Sequence, residues 1–293
     1  MDPHLLRTFT TVARLGSFSA AARELGYTQS AVSQHIAALE ADLGVELLGR
    51  RPVVATEAGA RLLDHAGPLL TRLAAARADV VRVGRTPAAR LVVGATALAF
   101  GPRAARALGR VRAAMPRTDV VVRLLDREVL MRGVAEGELG AALVDGAAAP
   151  TDPLRLPEAA GLVTNQVAEE PLTVLLPPGH PLSDRAGLRL PDLADALWLD
   201  APGAAVRLAE LRAATGGAFP GQVCYDGTDA RALHALVAAG QGLAVLPRSV
   251  AGAGGVPVTG PRLVHRVEVV RATSPDPVAA LFAQALVSGS GTR

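Results

Sequence analysis

The 293-residue chain carries 30 basic and 27 acidic residues, a net charge of +3, and half of its residues are hydrophobic. This charge is too small to indicate a nucleic-acid partner, so such a function must depend on where particular side chains lie. No apolar run approaches the ~18 residues of a membrane span, and the start MDPHLLRTF is unlike a signal peptide. The single cysteine, Cys224, excludes an internal disulfide and a cysteine-rich metal site. We therefore expect a cytoplasmic protein.

A pair of short helices joined by a tight turn is predicted for residues 17–43, after a first helix over about residues 3–14 that would close the core beneath the pair. Ser19 is expected to cap the first helix of the pair, because its hydroxyl can accept a hydrogen bond from a free backbone N–H. Gly26 is expected to end that helix, because glycine tolerates the left-handed conformation found there. Thr28 would cap the second helix.

The second helix of the pair has one apolar and one polar face. Apolar residues recur at spacings of four, three and four, which predicts a buried stripe of Val32, Ile36, Leu39 and Leu43. The opposite face starts at Thr28 and carries small or hydrogen-bonding side chains: Gln29, Ser30, Ser33, Gln34 and Ala37. Such side chains can read base edges in the ~12 Å wide major groove of duplex DNA. The alternative is an ordinary helical hairpin with a solvated face, although such faces are usually rich in charge.

A small wing is predicted after this helix. Residues 53–55 can form a short strand, with Pro52 at its entry. Arg50 and Arg51 would lie at the tip of the wing, where basic side chains meet DNA phosphates.

A long helix is predicted from Thr56, which can cap it, up to the candidate linker at residues 84–89. Small aliphatic residues recur along it at alternating steps of four and three, the pattern by which two helices pack side by side. These residues are Leu62, Ala66, Leu69, Leu73, Ala76, Val80 and Val83. The pattern predicts dimerisation through this helix. Packing of the helix on its own domain is the alternative, and it would need a wider apolar stripe.

The segment AARELGYTQSAVSQHIAALEADLGVELLGR, followed by ATEAGARLL, resembles the winged helix-turn-helix of LysR-type transcriptional regulators. The resemblance implies binding to double-stranded DNA, antiparallel dimerisation through the long helix, and assembly of dimers into tetramers through sensor domains. The wing is shorter than is usual in that family. We therefore expect Arg50 and Arg51 to contact phosphates rather than to enter the minor groove.

Strand-like and helix-like runs alternate from residue 90 onwards. The strand candidates are LVVGA, VVVRLL, LGAALV, LTVLLP, ALWLD, QVCYD, GLAVLP and VHRVEVV, and the helix candidates are residues 101–114, 128–137, 203–214, 229–239 and 275–287. This alternation favours an α/β fold with mostly parallel sheets. We expect one lobe of about residues 90–161 and 265–293 and another of about 162–264. Two crossings between the lobes would form a hinge that closes on a small molecule.

The predicted architecture is α/β with an N-terminal all-α winged helix-turn-helix and a C-terminal two-lobed, periplasmic-binding-protein-like sensor domain. The expected limits are residues 1–58 for the DNA-binding domain, 59–86 for the dimerisation helix and hinge, and 87–293 for the effector-binding domain.

Three loops that follow strands are candidates for the effector site, since open α/β sheets bind ligands beyond the carboxyl ends of their strands. The resemblance implies that they line the effector cleft. Their candidate residues are Thr96, Ala97, Pro202, Gly203 and Thr228. For each threonine, simple helix capping is an equally good interpretation, and one residue can do both.

Arg127 is a more specific candidate, because it is predicted in the first turn of a helix capped by Asp126, where a positive charge opposes the helix dipole. A residue placed against that preference could be there to clamp a carboxylate. The alternative is an exposed arginine whose charge is offset by Glu128.

No nucleophile–base pair, metal-ligand spacing or nucleotide-binding glycine motif is present, so we expect no enzyme activity, cofactor or metal. Cys224 is expected in the core of a strand. The sequence favours a DNA-binding regulator that responds to a small-molecule effector, most simply a small organic acid. A cytoplasmic small-molecule-binding or solute-binding-type protein without specific DNA recognition is the alternative.

Overall fold

A computed structural model describes residues 1–49, 52–83, 90–157 and 161–288, except for the side chains of residues 75 and 78–83. The chain divides into two compact units, residues 1–85 and 86–293. The first unit consists of α1 (Pro3–Leu15), α2 (Phe18–Leu25), α3 (Gln29–Leu43) and α4 (Glu57–Val83). Within the described ranges, no helix combines the length and apolar character that crossing a membrane requires.

The helix-turn-helix forms where it was predicted, with one difference in its caps. Gly26 ends α2 at φ +70°, and Thr28 caps α3 by accepting a hydrogen bond from the Ala31 N–H at 3.2 Å, so both predictions are confirmed. The prediction for Ser19 is wrong. Ser17 has the extended backbone of a cap and accepts from the Ala20 N–H at 3.3 Å, so that Ser19 falls inside α2.

The apolar stripe of α3 packs on α1 and α2 as predicted for three of its four residues. Val32, Ile36 and Leu39 are buried in a core that includes Phe9 of α1. Leu43 is 40% exposed, which corrects the prediction that it is buried. It is the last residue of α3, directly before the cap residue Gly44.

The wing is smaller than the predicted strand. An isolated antiparallel bridge joins Leu48 to Ala55, and the Gly49 N–H donates to the Val54 carbonyl at 2.8 Å. No regular strand forms in the described part of this segment. Arg50 and Arg51 lie outside the described residues.

The apolar stripe of α4 divides between two environments. Thr56 caps the helix by accepting from the Gly59 N–H at 3.0 Å. The first part of the stripe packs on the helical core of the same chain: Ala66 is fully buried and Leu62 lies against that core. Ala66 therefore has no surface to offer a second subunit, which corrects its predicted place in the seam.

The middle of α4 instead carries exposed apolar side chains. Leu69 and Leu73 are 47% and 49% exposed, and Ala76 is exposed as well. The side chains of Val80 and Val83 lie outside the described residues.

The second unit is a mixed α/β domain. Its strands are β1 (Arg90–Ala95), β2 (Asp119–Leu124), β3 (Ala141–Ala148), β4 (Leu162–Leu175), β5 (Leu188–Arg189), β6 (Trp198–Asp200), β7 (Gly221–Cys224), β8 (Ala244–Pro247), β9 (Gly255–Gly260) and β10 (Val264–Ala272). Its helices are α5 (Pro102–Ala114), α6 (Arg127–Ala135), α7 (Leu208–Thr215), α8 (Ala230–Ala238), α9 (Arg248–Ala251) and α10 (Pro277–Val287).

The main sheet has the strand order β2-β1-β3-β10-β4-β9-β5, and β8 pairs with β4, whereas β6 and β7 form a separate sheet. The expectation of mostly parallel sheets is wrong for the middle of this order, where β10 runs antiparallel to both β3 and β4. The 14-residue β4 explains the difference. It pairs with β10 over residues 162–171 and with β8 over residues 172–175, so one antiparallel strand serves both halves of the domain.

The domain has separate apolar cores on the two sides of this junction. In the first half, α5 and α10 cover one face of the sheet, with Phe282 buried among them, and α6 covers the other face. In the second half, Trp198 and Phe219 are the largest buried side chains. Cys224 is exposed, which corrects its predicted place in the core.

Candidate functional site

The predicted recognition face of α3, which we define as Thr28, Gln29, Ser30, Ser33 and Gln34, is exposed at all five positions. Thr28 and Ser30 share a hydrogen bond of 3.0 Å, and Gln29 accepts from the Ser19 hydroxyl at 3.3 Å. Ser33 and Gln34 make no hydrogen bond to any residue that the structure describes. Their donors and acceptors are therefore available to an external partner.

Tyr27 extends this face at the start of α3 and was not singled out from the sequence. It is 43% exposed, and its ring lies edge-on against the ring of His35 at 5.2 Å between centroids. Its position beside the cap residue Thr28 was the available signal. The face consists of exposed, uncharged, hydrogen-bonding side chains, which suits close approach to base edges.

In the second unit, Thr96 has a different role from the predicted helix cap. It is buried, and its hydroxyl donates to Asp145 Oδ1. The other carboxylate oxygen of Asp145 accepts from His265 Nε2 at 2.8 Å. The next helix, α5, starts only at Pro102, so Thr96 is not its cap.

The pKa of Asp145 is lowered from its ordinary value. Burial by itself raises it, but the hydrogen bond and charge of His265, the hydrogen bond of Thr96 and the charge of Arg127 together outweigh the burial. Asp145 is therefore a buried carboxylate that remains ionised and holds two side chains in place.

Arg127 is in the first turn of α6, as predicted. It is neither exposed nor paired with Glu128, so the alternative interpretation is wrong. Its Nη2 donates to Glu210 Oε1 at 2.8 Å and also to the backbone carbonyl of Asp145. The second oxygen of Glu210 accepts from the Ala147 N–H at 2.9 Å. The Arg127 and Glu210 side chains are only 14% and 19% exposed, so this ion pair is largely removed from water.

Gly146 on β3 allows the pair to lie directly on the strand. A Cβ atom at this position would be 2.7 Å from Arg127 Nη2 and 3.0 Å from Glu210 Oε1. Any larger residue would therefore push the two side chains away from the sheet.

Two of the other predicted effector residues, Gly203 and Thr228, are in loops that contact each other. A Cβ atom at Gly203 would be 2.8 Å from the Gly227 carbonyl and 3.4 Å from Thr228, so these two loops are in contact. Thr228 and Pro202 are exposed, and Ala97 is half-buried. Thr228 does not cap α8, because Asp229 performs that role.

A cavity of about 360 Å³ lies beside the Arg127–Glu210 pair. Its lining is mostly apolar and includes Ala147 and Ala213, and Asp152, Arg155 and Arg262 add charged side chains to it. These two exposed arginines make no ion pair or hydrogen bond with the described residues. The Arg127 Nε atom is buried without a partner in the described part of the chain.

Three residues of this region, Asp145, Glu210 and His265, were not found by sequence reasoning. A signal existed for Asp145, because it interrupts the run LGAALVDGAA, which otherwise reads as an apolar strand. His265 has no such signal, because Arg266 and Glu268 are also polar residues of its strand. Glu210 resembles any exposed helix residue in the sequence, and only its contacts distinguish it. Over the ranges described, no cluster of three or more His, Cys, Asp or Glu residues could hold a metal ion.

Family models match most of the chain. The model of the lysR family of bacterial regulatory helix-turn-helix proteins matches residues 3–60, and the LysR substrate binding domain model matches residues 84–289.

Curated relatives of similar sequence include the small neutral protease regulatory protein of Streptomyces coelicolor, 35% identical over 209 residues that cover 67% of this chain and 62% of the relative. A probable hydrogen peroxide-inducible genes activator of Mycobacterium avium is 35% identical over 198 residues, 65% of this chain and 59% of the relative. The matched part of the chain thus spans about three fifths of these relatives' length.

Among solved structures, full-length CbnR, a LysR family transcriptional regulator, superposes with a TM-score of 0.55 at 22% identity over 100% of both chains. CbnR complexed with its target DNA gives a TM-score of 0.53 at 22% identity, over 99% of this chain and 100% of that one. These likenesses show a common fold. The two family models establish that this chain belongs to the LysR family, with an N-terminal helix-turn-helix and a C-terminal LysR substrate-binding domain.

Proposed function

We propose that the protein is a transcriptional regulator that binds double-stranded DNA through α3 and responds to a small-molecule effector in its C-terminal domain. The observation that carries the proposal is the exposed, uncharged recognition face, in which Ser33 and Gln34 are without partners among the described residues. Arg50 and Arg51 would add phosphate contacts beside it. A cytoplasmic location and the absence of enzyme activity belong to the same proposal.

The limits of residues 1–58, 59–86 and 87–293 remain our proposed division into DNA-binding domain, dimerisation helix and effector-binding domain. Their support is the pair of family matches, which leave only residues 61–83 between them. The lobe limits near residues 161 and 264 also remain proposals. Within β4, Val167 belongs to the first apolar core and Leu172 to the second, so the change between cores lies a few residues beyond the proposed limit at 161.

The effector is proposed to be a small organic acid. Arg127 supports this class, because a guanidinium in a largely dry setting binds a carboxylate strongly. Thr96, Ala97, Pro202, Gly203 and Thr228 would line the remainder of the cleft. Effector binding controls the regulator only if the acid prefers one arrangement of the lobes over another.

Binding to the DNA upstream of the protein's own gene tests the central proposal. We expect a specific complex whose affinity falls linearly with the logarithm of salt concentration, because phosphate contacts release counterions. A solute-binding-type protein would give no salt-sensitive specific complex. Its absence at low salt, with a folded protein, would overturn the DNA-binding proposal.

Dimerisation through α4 is tested with Leu73→Arg. Leu73 and its neighbours Leu69 and Ala76 are exposed in the single chain, so a buried charge at this position should weaken the dimer about 100-fold. Analytical ultracentrifugation measures the effect. Ala60→Arg is the matched control, because Ala60 is exposed on a different side of the same helix. Equal weakening by both substitutions would count against a seam at these three residues.

A further inference from the structure

The largely buried guanidinium of Arg127 already binds a carboxylate of the chain itself. Glu210 presents one carboxylate oxygen to Arg127 Nη2 at 2.8 Å, and Arg207 Nη1 lies 3.6 Å from the same oxygen. The other oxygen accepts from the Ala147 N–H at 2.9 Å. A carboxylate bound by a guanidinium and a backbone N–H is the arrangement expected for an acidic ligand.

The pair also connects the two halves of the domain. Arg127 begins α6, whose buried Leu130 and Val134 belong to the core of the first half. Glu210 is in α7, whose Leu208 and Leu211 belong to the core around Trp198 in the second half. Exchange of the Glu210 carboxylate for another one would therefore remove a link between the halves.

The neighbouring cavity provides the space and the electrostatic attraction for an incoming acid. Its volume of about 360 Å³ is within the range of small-molecule sites. Arg155 and Arg262 also line the cavity and are unpaired with described residues. The lining acids are Asp152 and Glu210, so with Arg127 the three arginines outnumber them and leave a net positive charge that attracts anions. The small side chains of Ala147 and Ala213 leave room for a compact apolar body.

We propose that Glu210 is an internal competitor for the effector's carboxylate, and that a small acid entering this cavity displaces Glu210 from Arg127 and so uncouples α7 from α6 and β3. This inference depends on the proposed acidic effector. It goes further by naming Glu210 as a residue that lowers the affinity of the protein for that effector. Without ligand, Glu210 compensates the Arg127 charge and links α7 to α6 and β3. With ligand, the acid takes over that compensation.

The test measures carboxylate affinity of the full-length chain by calorimetry, with benzoate and succinate as probes and benzamide and succinamide as their uncharged counterparts. Glu210→Gln removes the competing charge, while the amide oxygen can still accept from the Ala147 N–H. We expect at least one of the acids to bind the variant about tenfold more tightly than the wild type, which corresponds to about 1.4 kcal/mol. The amides should bind neither protein.

Two further variants complete the design. Glu138→Gln is the matched control, because Glu138 is exposed and has no ion pair or hydrogen bond among the described residues; it should leave affinity unchanged. Arg127→Ala should abolish binding. If Glu210→Gln does not fold, Glu210→Ala removes the same competing group and should also tighten binding.

The outcomes separate the two proposals. Acid binding that needs Arg127 but is unchanged or weakened by both Glu210 variants would overturn the competitor role and leave the acidic effector standing. A loss of thermal stability without any gain in affinity would show that Glu210 only supports the fold. Failure of every acid to bind wild type and variants alike would instead refute the acidic effector itself.

Discussion

Gln34→Glu is expected to reduce specific DNA affinity by about 100-fold, because it replaces the amide that we propose to read base edges with a negative charge, which the polyanionic DNA repels. A good base contact contributes ~1–3 kcal/mol of discrimination, and the charge repulsion adds to its loss. The fold should be unaffected, since Gln34 is exposed and makes no hydrogen bond to a described residue. Fluorescence anisotropy with an operator duplex at fixed salt measures the affinity.

Gln222→Glu is the matched control for this experiment. Gln222 is an exposed glutamine of β7 in the second unit, so the same change of net charge occurs far along the chain from α3. We expect it to lower affinity less than threefold, as a general charge effect. Equal losses in the two variants would mean that α3 does not read DNA.

Asp145→Ala is expected to destabilise the second unit by about 2–4 kcal/mol, the cost of leaving buried polar groups without a partner. The substitution removes the acceptor of both the Thr96 hydroxyl and His265 Nε2. Thermal or urea denaturation monitored by circular dichroism measures the loss. Asp184→Ala is the control, because Asp184 is exposed and makes no ion pair or hydrogen bond with the described residues.

The same carboxylate predicts a dependence of stability on pH. The pKa of Asp145 is lowered in the folded protein, so its stabilising contribution is fully present above its unfolded value of about 3.9 and is lost as the pH falls through the folded value. Asp145→Asn retains the shape of the side chain and removes this titration. The wild type should therefore lose more stability than Asp145→Asn between pH 5 and pH ~2, and parallel profiles would contradict the assignment.

The helix-turn-helix could be predicted almost completely because its signals are local. The cap at Thr28, the glycine at 26 and the apolar spacing of Val32, Ile36 and Leu39 all act within one or two helical turns. The error at Ser19 arose because Ser17 is an equally good cap two residues earlier. The exposure of Leu43 at the end of α3 depends on which other segments pack there, which its own spacing does not encode.

The second unit was predicted less well, because its pairings are long-range. Residues 162–171 contain several polar side chains and were not predicted as a strand, yet they pair with β10 about 100 residues later. The fold class remained predictable because alternating strands and helices depend on local composition. The antiparallel pairing in the middle of the sheet could not be predicted, because strand direction depends on which segments of the chain pair with each other.

By itself, the sequence determined the helices of the first unit, the exposed face of α3 and the α/β class of the second, since propensity, capping and periodicity act between near neighbours. Only the tertiary structure decided the surroundings of Arg127. Its partner Glu210 is 83 residues away in α7, and the Asp145 carboxylate is joined to His265 across 120 residues. Charges so distant along the chain are brought together by packing of the sheet and helices, and no local pattern specifies which of the many acids will meet a given arginine.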